Sequence, residues 1–100
     1  VSHLPHLIAY SLVKAIPDQM LENAPQSLKD TTRIASSDAQ MWKDIALSNS
    51  KNILKAIDES VKALALIRKG IVSADGEALE EIFKTAKAKR EMLEGNHGKK

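Results

Sequence analysis

Apolar residues recur at three- and four-residue spacing along most of the chain and nowhere alternate every second residue, a pattern that predicts helices and no strand. Leu4, Leu7, Ile8, Leu12 and Ile16 form the stripe of a first helix. Ser2 is placed to cap it, Pro5 is tolerated in its first turn, and Pro17 ends it because the residue before a proline avoids the helical region. Residues 17–27 read as a connection with one helical turn around Met20, and Leu28 to Ser36 as a short helix. Ser37 then begins another helix, with Gln40 as its capping-box partner and Asp38 favourable in the first turn. Met41, Ile45 and Leu47 are its expected buried residues, with Trp42 at one edge, and near Asn49 it kinks or restarts.

The cleanest pattern is Leu54, Ile57, Val61, Leu64 and Ile71, widened by Ile53, Leu66 and Ile67. Gly70 is expected to weaken the end of this helix. Asp75 caps the last helix, on which Leu79, Ile82, Phe83, Ala86 and Leu93 share a side. Gly95 is expected to stop it, leaving residues 95–100 as a disordered tail. The result is an all-α domain of about five helices over residues 1–94. The broad stripe over residues 50–72 has two readings: a helix buried centrally in its own bundle, or the seam of a homodimer.

Composition narrows the picture only a little. With one Trp, one Tyr and one Phe, the core has to be built from Leu, Ile, Ala and Val. A net charge of +2 calls for no nucleic acid. The six basic and two acidic residues from Lys84 to Lys100 have no interleaved aromatics and read as a solvated helix end. There is no cysteine, hence no disulfide and no thiolate chemistry, which fits a cytoplasmic protein. No apolar run approaches the roughly 18 residues that a membrane span needs, so no membrane partner is expected. The chain starts at Val1 inside a predicted helix, which reads as a piece of something longer.

Candidate chemistry is sparse. The four glycines match neither a dinucleotide fingerprint nor a P-loop, so no cofactor is expected in this chain. His3 and His6 stand one helical turn apart, but no third ligand at helical spacing completes a metal site. Arg33, flanked by Thr31, Thr32, Ile34 and Ala35, has two readings. It pairs locally with Asp30, or its planar guanidinium grips a carboxylate in two-pronged fashion. Trp42 reads as a core or interface anchor.

Two longer motifs decide more. "VSHLPHLIAYSLV", followed by "KDTTRIASSDAQMWKDI" and then Asn49, resembles the C-terminal helical domain of the prephenate dehydrogenase family and its arogenate-using relatives. That family shows a Ser-His-Leu-Pro-His helix start, an Arg/Lys-Asp-x-Thr-Arg-Ile-Ala segment and Ser-Asp-Pro-x-x-Trp. Residues 1–50 carry the resemblance. Lys29, the "PQSL" before it and Ala39 depart from the family pattern. The first two bear on the loop that leads to Arg33. Ala39 replaces a proline that would only pre-set the first helical turn.

The resemblance implies a helical domain like the C-terminal part of 6-phosphogluconate dehydrogenase, intertwined as a homodimer. It implies a parent enzyme that carries out NAD- or NADP-dependent oxidative decarboxylation of prephenate to 4-hydroxyphenylpyruvate in tyrosine biosynthesis. The cofactor and the catalytic histidine would belong to an N-terminal Rossmann domain that this chain does not match, so the chain alone is expected to be inactive. Arg33 matches the family arginine that binds substrate carboxylate. His6 and His3 match histidines at the active-site end of the first helix, where they would hydrogen-bond prephenate, arogenate or tyrosine. Trp42 matches a tryptophan near the site and the subunit boundary, and Asp30 and Thr32 are expected to orient Arg33. An alternative is a stand-alone dimer-forming module that senses tyrosine. A further one is the helical domain of another Rossmann-type dehydrogenase, which gives no reason for the Thr-Arg-Ile-Ala segment.

Overall fold

A computed structural model of the chain describes residues 3–98, with side chains as far as Glu94. Among the described residues there are five α-helices and no strand: α1 Leu4–Ala15, α2 Gln26–Thr32, α3 Ala39–Ser48, α4 Ser50–Val72 and α5 Gly76–Gly98. Short 3₁₀ turns at Asp18–Met20 and Arg33–Ser36 fill the connections. The chain divides into two compact units, one reaching to Glu59 and one starting at Ser60.

In the first unit α1 packs on α2 and on the 3₁₀ turn Arg33–Ser36. Pro5 sits in the first turn of α1, where its missing N–H costs nothing, and Ile16 leaves the helix at ψ 127° just before Pro17. His3 occupies the N-cap position. The predicted cap, Ser2, lies outside the described residues. The single predicted helix over Leu28–Ser36 is instead α2 followed by the 3₁₀ turn. Both threonines turn their hydroxyls back into α2, Thr31 onto Ser27 O at 2.8 Å and Thr32 onto Leu28 O at 2.7 Å. Such back-bonding loosens an α-helical end, and the chain tightens from there.

The start of α3 falls one residue later than expected. Asp38, not Ser37, is the N-cap, and one carboxylate oxygen accepts from Gln40 N at 2.9 Å and Met41 N at 3.3 Å. Ser37 closes the preceding turn instead, its hydroxyl donating to Ile34 O at 2.7 Å. Burial along α3 differs from the expectation at three positions, while Ile45 is half-buried. Trp42 is buried at 8% exposure, whereas Met41 and Leu47 are exposed. Tyr10 crosses from α1 and donates to Ser37 O at 2.9 Å, tying the first helix to the cap. The break expected near Asn49 is there: α3 ends at Ser48 and α4 begins at Ser50.

In the second unit α4 gives way to α5 through a tight helix end. Asp75 N donates to Gly70 O at 2.9 Å and Ala74 N to Ile71 O at 3.1 Å, the paired bonds of a Schellman motif. Ala74 takes the left-handed position, at φ 54°, that usually calls for glycine. Asp75 then caps α5 through Ala78 N at 3.0 Å, as the sequence predicts. Gly70 does not mark a weak end. It is buried inside α4, and a Cβ there would lie 2.7 Å from Leu79 Cδ2, so the glycine makes room for α5 to approach. α5 continues past Gly95 to Gly98. The side chains of the predicted tail, 95–100, and the backbone of 99 and 100 lie outside the described residues.

The core is thin. Among the described residues only Ala9, Trp42 and Ile53 are buried apolar residues. The stripe of α4 that the pattern marks most clearly is open: Leu54, Val61, Leu64 and Ile71 are 57%, 59%, 67% and 63% exposed. Leu54, Ile57, Val61, Leu64 and Ile71 hold a three-four heptad rhythm, broken only where Arg68 takes a seam position. A bare apolar stripe of this length is the surface that a partner covers.

Candidate functional site

The first turn of α1 places His3 and His6 one above the other, since residues three apart share a helix face. Beneath them lies Trp42, one turn into α3. The His6 ring is stacked on the indole, with centroids 4.0 Å apart and planes at 16°, and His3 meets it edge-on at 5.7 Å and 83°. Both arrangements suit aromatic quadrupoles, and each pair contributes about 0.5–1.5 kcal/mol beyond the area it buries. Seven residues after Trp42, Asn49 comes round on the same side of the chain, and its Nδ2 lies 3.2 Å from His3 Nδ1.

Two polar atoms of this cluster have no hydrogen-bond partner among the described residues although they are buried: Trp42 Nε1 and His6 Nδ1. An orphaned buried polar group costs about 1–3 kcal/mol. The indole N–H can only donate, so whatever relieves it brings an acceptor, such as a carboxylate or carbonyl oxygen.

The structure does not draw all the predicted site residues together. Arg33 opens the 3₁₀ turn that packs on α1 but is itself exposed. Its backbone N–H donates to Asp30 O, while its guanidinium makes no hydrogen bond or ion pair among the described residues. The Asp30 carboxylate accepts from Gln26 Nε2 at 3.0 Å, and the Thr32 hydroxyl is spent on Leu28 O, so neither side chain bonds the Arg33 guanidinium. A guanidinium held this way is free to take an outside anion. Among the described residues no group of three His, Cys, Asp or Glu side chains stands close enough to hold a metal ion. A groove of about 430 Å³ on one side of α5, lined by Leu79, Phe83 and Lys87 among others, belongs to the second unit and contains none of the predicted site residues.

Sequence reasoning underrated Asn49 and Tyr10. Asn49 was legible as a break between helices and as the end of the family pattern, but its reach to a histidine 46 residues away left no local signal. Tyr10 could be placed on the His3/His6 side of α1, but its tie to Ser37 depends on how the two helices meet.

The fold and the cluster define a class: a small helical association domain with a thin core of its own, a bare heptad stripe, and a recess of aromatic and imidazole rings at one end of α1. The model for the prephenate dehydrogenase dimerization domain matches residues 1–85, and the chain belongs to that family. Over 103 residues it is 35% identical to a cyclohexadienyl dehydrogenase of Zymomonas mobilis, covering 96% of this chain and 35% of the relative. A prephenate dehydrogenase of Bacillus subtilis is 38% identical over 99 residues, which is 93% of this chain and 27% of that protein. One of Lactococcus lactis is 35% identical over 104 residues, 98% and 29% respectively. The chain therefore spans about a third of the length of these curated relatives. No solved structure matches it significantly.

Proposed function

We propose that this chain is the helical part of a dehydrogenase that oxidatively decarboxylates prephenate, or its amino-acid counterpart arogenate, with NAD or NADP. Its contribution is to join two copies of the enzyme and to bind the substrate's carboxylate. The observation that carries this reading is the open heptad stripe of α4, in a chain that belongs to a family of dimerization domains. The nicotinamide cofactor would be held outside these residues. Gly70 and Gly76 are taken up in α4 and α5, and no described strand leads into a glycine-rich turn. Arg33 is the residue we assign to the carboxylate, because it is exposed, unpaired among the described residues and fork-shaped. His6, His3 and Trp42 are assigned to hydrogen bonding and stacking against the substrate, and Asp30 and Thr32 to supporting the Arg33 turn. A cytoplasmic setting belongs to the same proposal.

Tyrosine is a second candidate ligand, favoured by the unpartnered Trp42 N–H, which a carboxylate oxygen would satisfy. Trp42 is the only tryptophan, so its emission reports directly on the recess. Titrating the chain with prephenate and then with tyrosine should change that emission. Arg33→Ala should weaken prephenate binding roughly 10- to 150-fold, the equivalent of a charged hydrogen bond worth about 1.5–3 kcal/mol. Equal affinity in Arg33→Ala removes Arg33 from the site, and no response to either ligand removes the recess.

A further inference from the structure

The side chain of Asn49 is engaged at both ends. Its Oδ1 accepts from Asn52 Nδ2 at 3.1 Å, and its Nδ2 lies 3.2 Å from His3 Nδ1. An amide has donors on one atom and lone pairs on the other, so what one end does constrains the other. With Oδ1 taken by the donor from Asn52, the end facing His3 is an NH₂ group, which can only donate. His3 Nδ1 is then the acceptor nitrogen, and the neutral ring carries its proton on Nε2.

We propose that Asn52 and Asn49 form a two-step relay that sets the tautomer of His3, fixing its Nε2–H as a hydrogen-bond donor and so selecting a ligand oxygen with a free lone pair. Asn49 is a positioning residue: it acts through His3. The ligand part of this inference rests on the reading of the recess as a substrate site, while the tautomer part does not. Trp42 points to the same ligand chemistry, because its buried, unpartnered Nε1–H can also only donate. Each of these two rings then offers an N–H donor and neither offers a free acceptor, so the chemistry suits a carboxylate or carbonyl oxygen and not an ammonium group.

The test is a long-range ¹H–¹⁵N correlation spectrum of the chain labelled at histidine, recorded where the rings are neutral. His3 should show an unprotonated, pyridine-type Nδ1 and a protonated Nε2. Asn52→Asp, an exposed and nearly isosteric change, removes the donor to Asn49. Asn49 then turns its NH₂ toward the new carboxylate and its oxygen toward His3, so the proton should move to Nδ1 although His3 itself is untouched. Asn49→Asp, which can only accept, should give the same reversal and serves if the first variant does not fold. A protonated Nδ1 in the unsubstituted chain overturns the relay, and so does a tautomer that stays put in the folded variants. Adding prephenate should shift His3 Nε2 more than Nδ1. A flat prephenate titration with the predicted tautomers intact defeats the substrate reading and leaves the relay standing.

Discussion

Replacing Trp42 by phenylalanine separates the two roles that the indole plays. The residue is only 8% exposed, stacked under His6 and edge-on to His3, so it anchors the first unit through contact. Its N–H is buried without a partner, so it also carries a cost. Phenylalanine keeps the stack on His6 but gives up buried area on the order of 50 Å². At roughly 25 cal/mol per Å² that loses about 1.3 kcal/mol. Removing the orphaned donor returns about 1–3 kcal/mol. The two effects oppose each other, so Trp42→Phe should fall between a loss of about 0.3 kcal/mol and a gain of about 1.7 kcal/mol in stability. Trp42→Ala keeps no ring and should cost about 3–5 kcal/mol. Urea unfolding followed by far-ultraviolet circular dichroism reads both variants without needing the tryptophan. A loss above about 2 kcal/mol in Trp42→Phe would mean that the N–H is bonded in solution, and the reasoning about a waiting acceptor would fall. The same variant should lose affinity for prephenate despite its near-normal stability, since the donor it lacks is the one the ligand would use.

Two further outcomes follow from the second unit and the seam. Ala74 holds φ 54° at a position that glycine fills at no steric cost, so Ala74→Gly should stabilise the chain by about 1 kcal/mol in thermal or urea unfolding; a destabilisation would mean that this helix end is not as described. Leu64 is 67% exposed in the single chain, so Leu64→Asp should leave the folded monomer within about 0.5 kcal/mol while abolishing association at micromolar concentration. An intact dimer in Leu64→Asp would place the interface elsewhere.

How far the sequence could be read depended on whether the deciding physics was local. Prolines, caps and three-four spacing act within one or two turns, and they located α1, the α3–α4 break and the whole of α4. Burial on α3 was misread because the apolar positions of one helix do not say which side meets a neighbour; Trp42 is buried against His3 and His6, while Met41 and Leu47 are exposed. Gly70 was misread for a different reason: a glycine in a helix looks like a defect until the side chain packed against it, Leu79, is known. At the site, His3, His6 and Trp42 were legible through a motif, and the structure brings those three together. What the motif could not give was the hydrogen bonding. Asn49 reaches His3 across 46 residues, and the side chains of Asp30 and Thr32 bond within their own helix and not to the Arg33 guanidinium.

What covers the open stripe of α4 decides how this domain associates. Burying the remaining 57–67% of Leu54, Val61, Leu64 and Ile71 on each of two copies would contribute about 1–2 kcal/mol per residue. Eight such residues give a gross gain of roughly 8–16 kcal/mol, comparable to the association cost of about 4–15 kcal/mol before any other contact is added. Sedimentation equilibrium of the unsubstituted chain at tens of micromolar measures the outcome directly. A mass near twice 11.0 kDa, falling to the single-chain value in Leu64→Asp, is the predicted result. A mass of 11.0 kDa for the unsubstituted chain would contradict the central claim that the exposed stripe is the seam of a dimer.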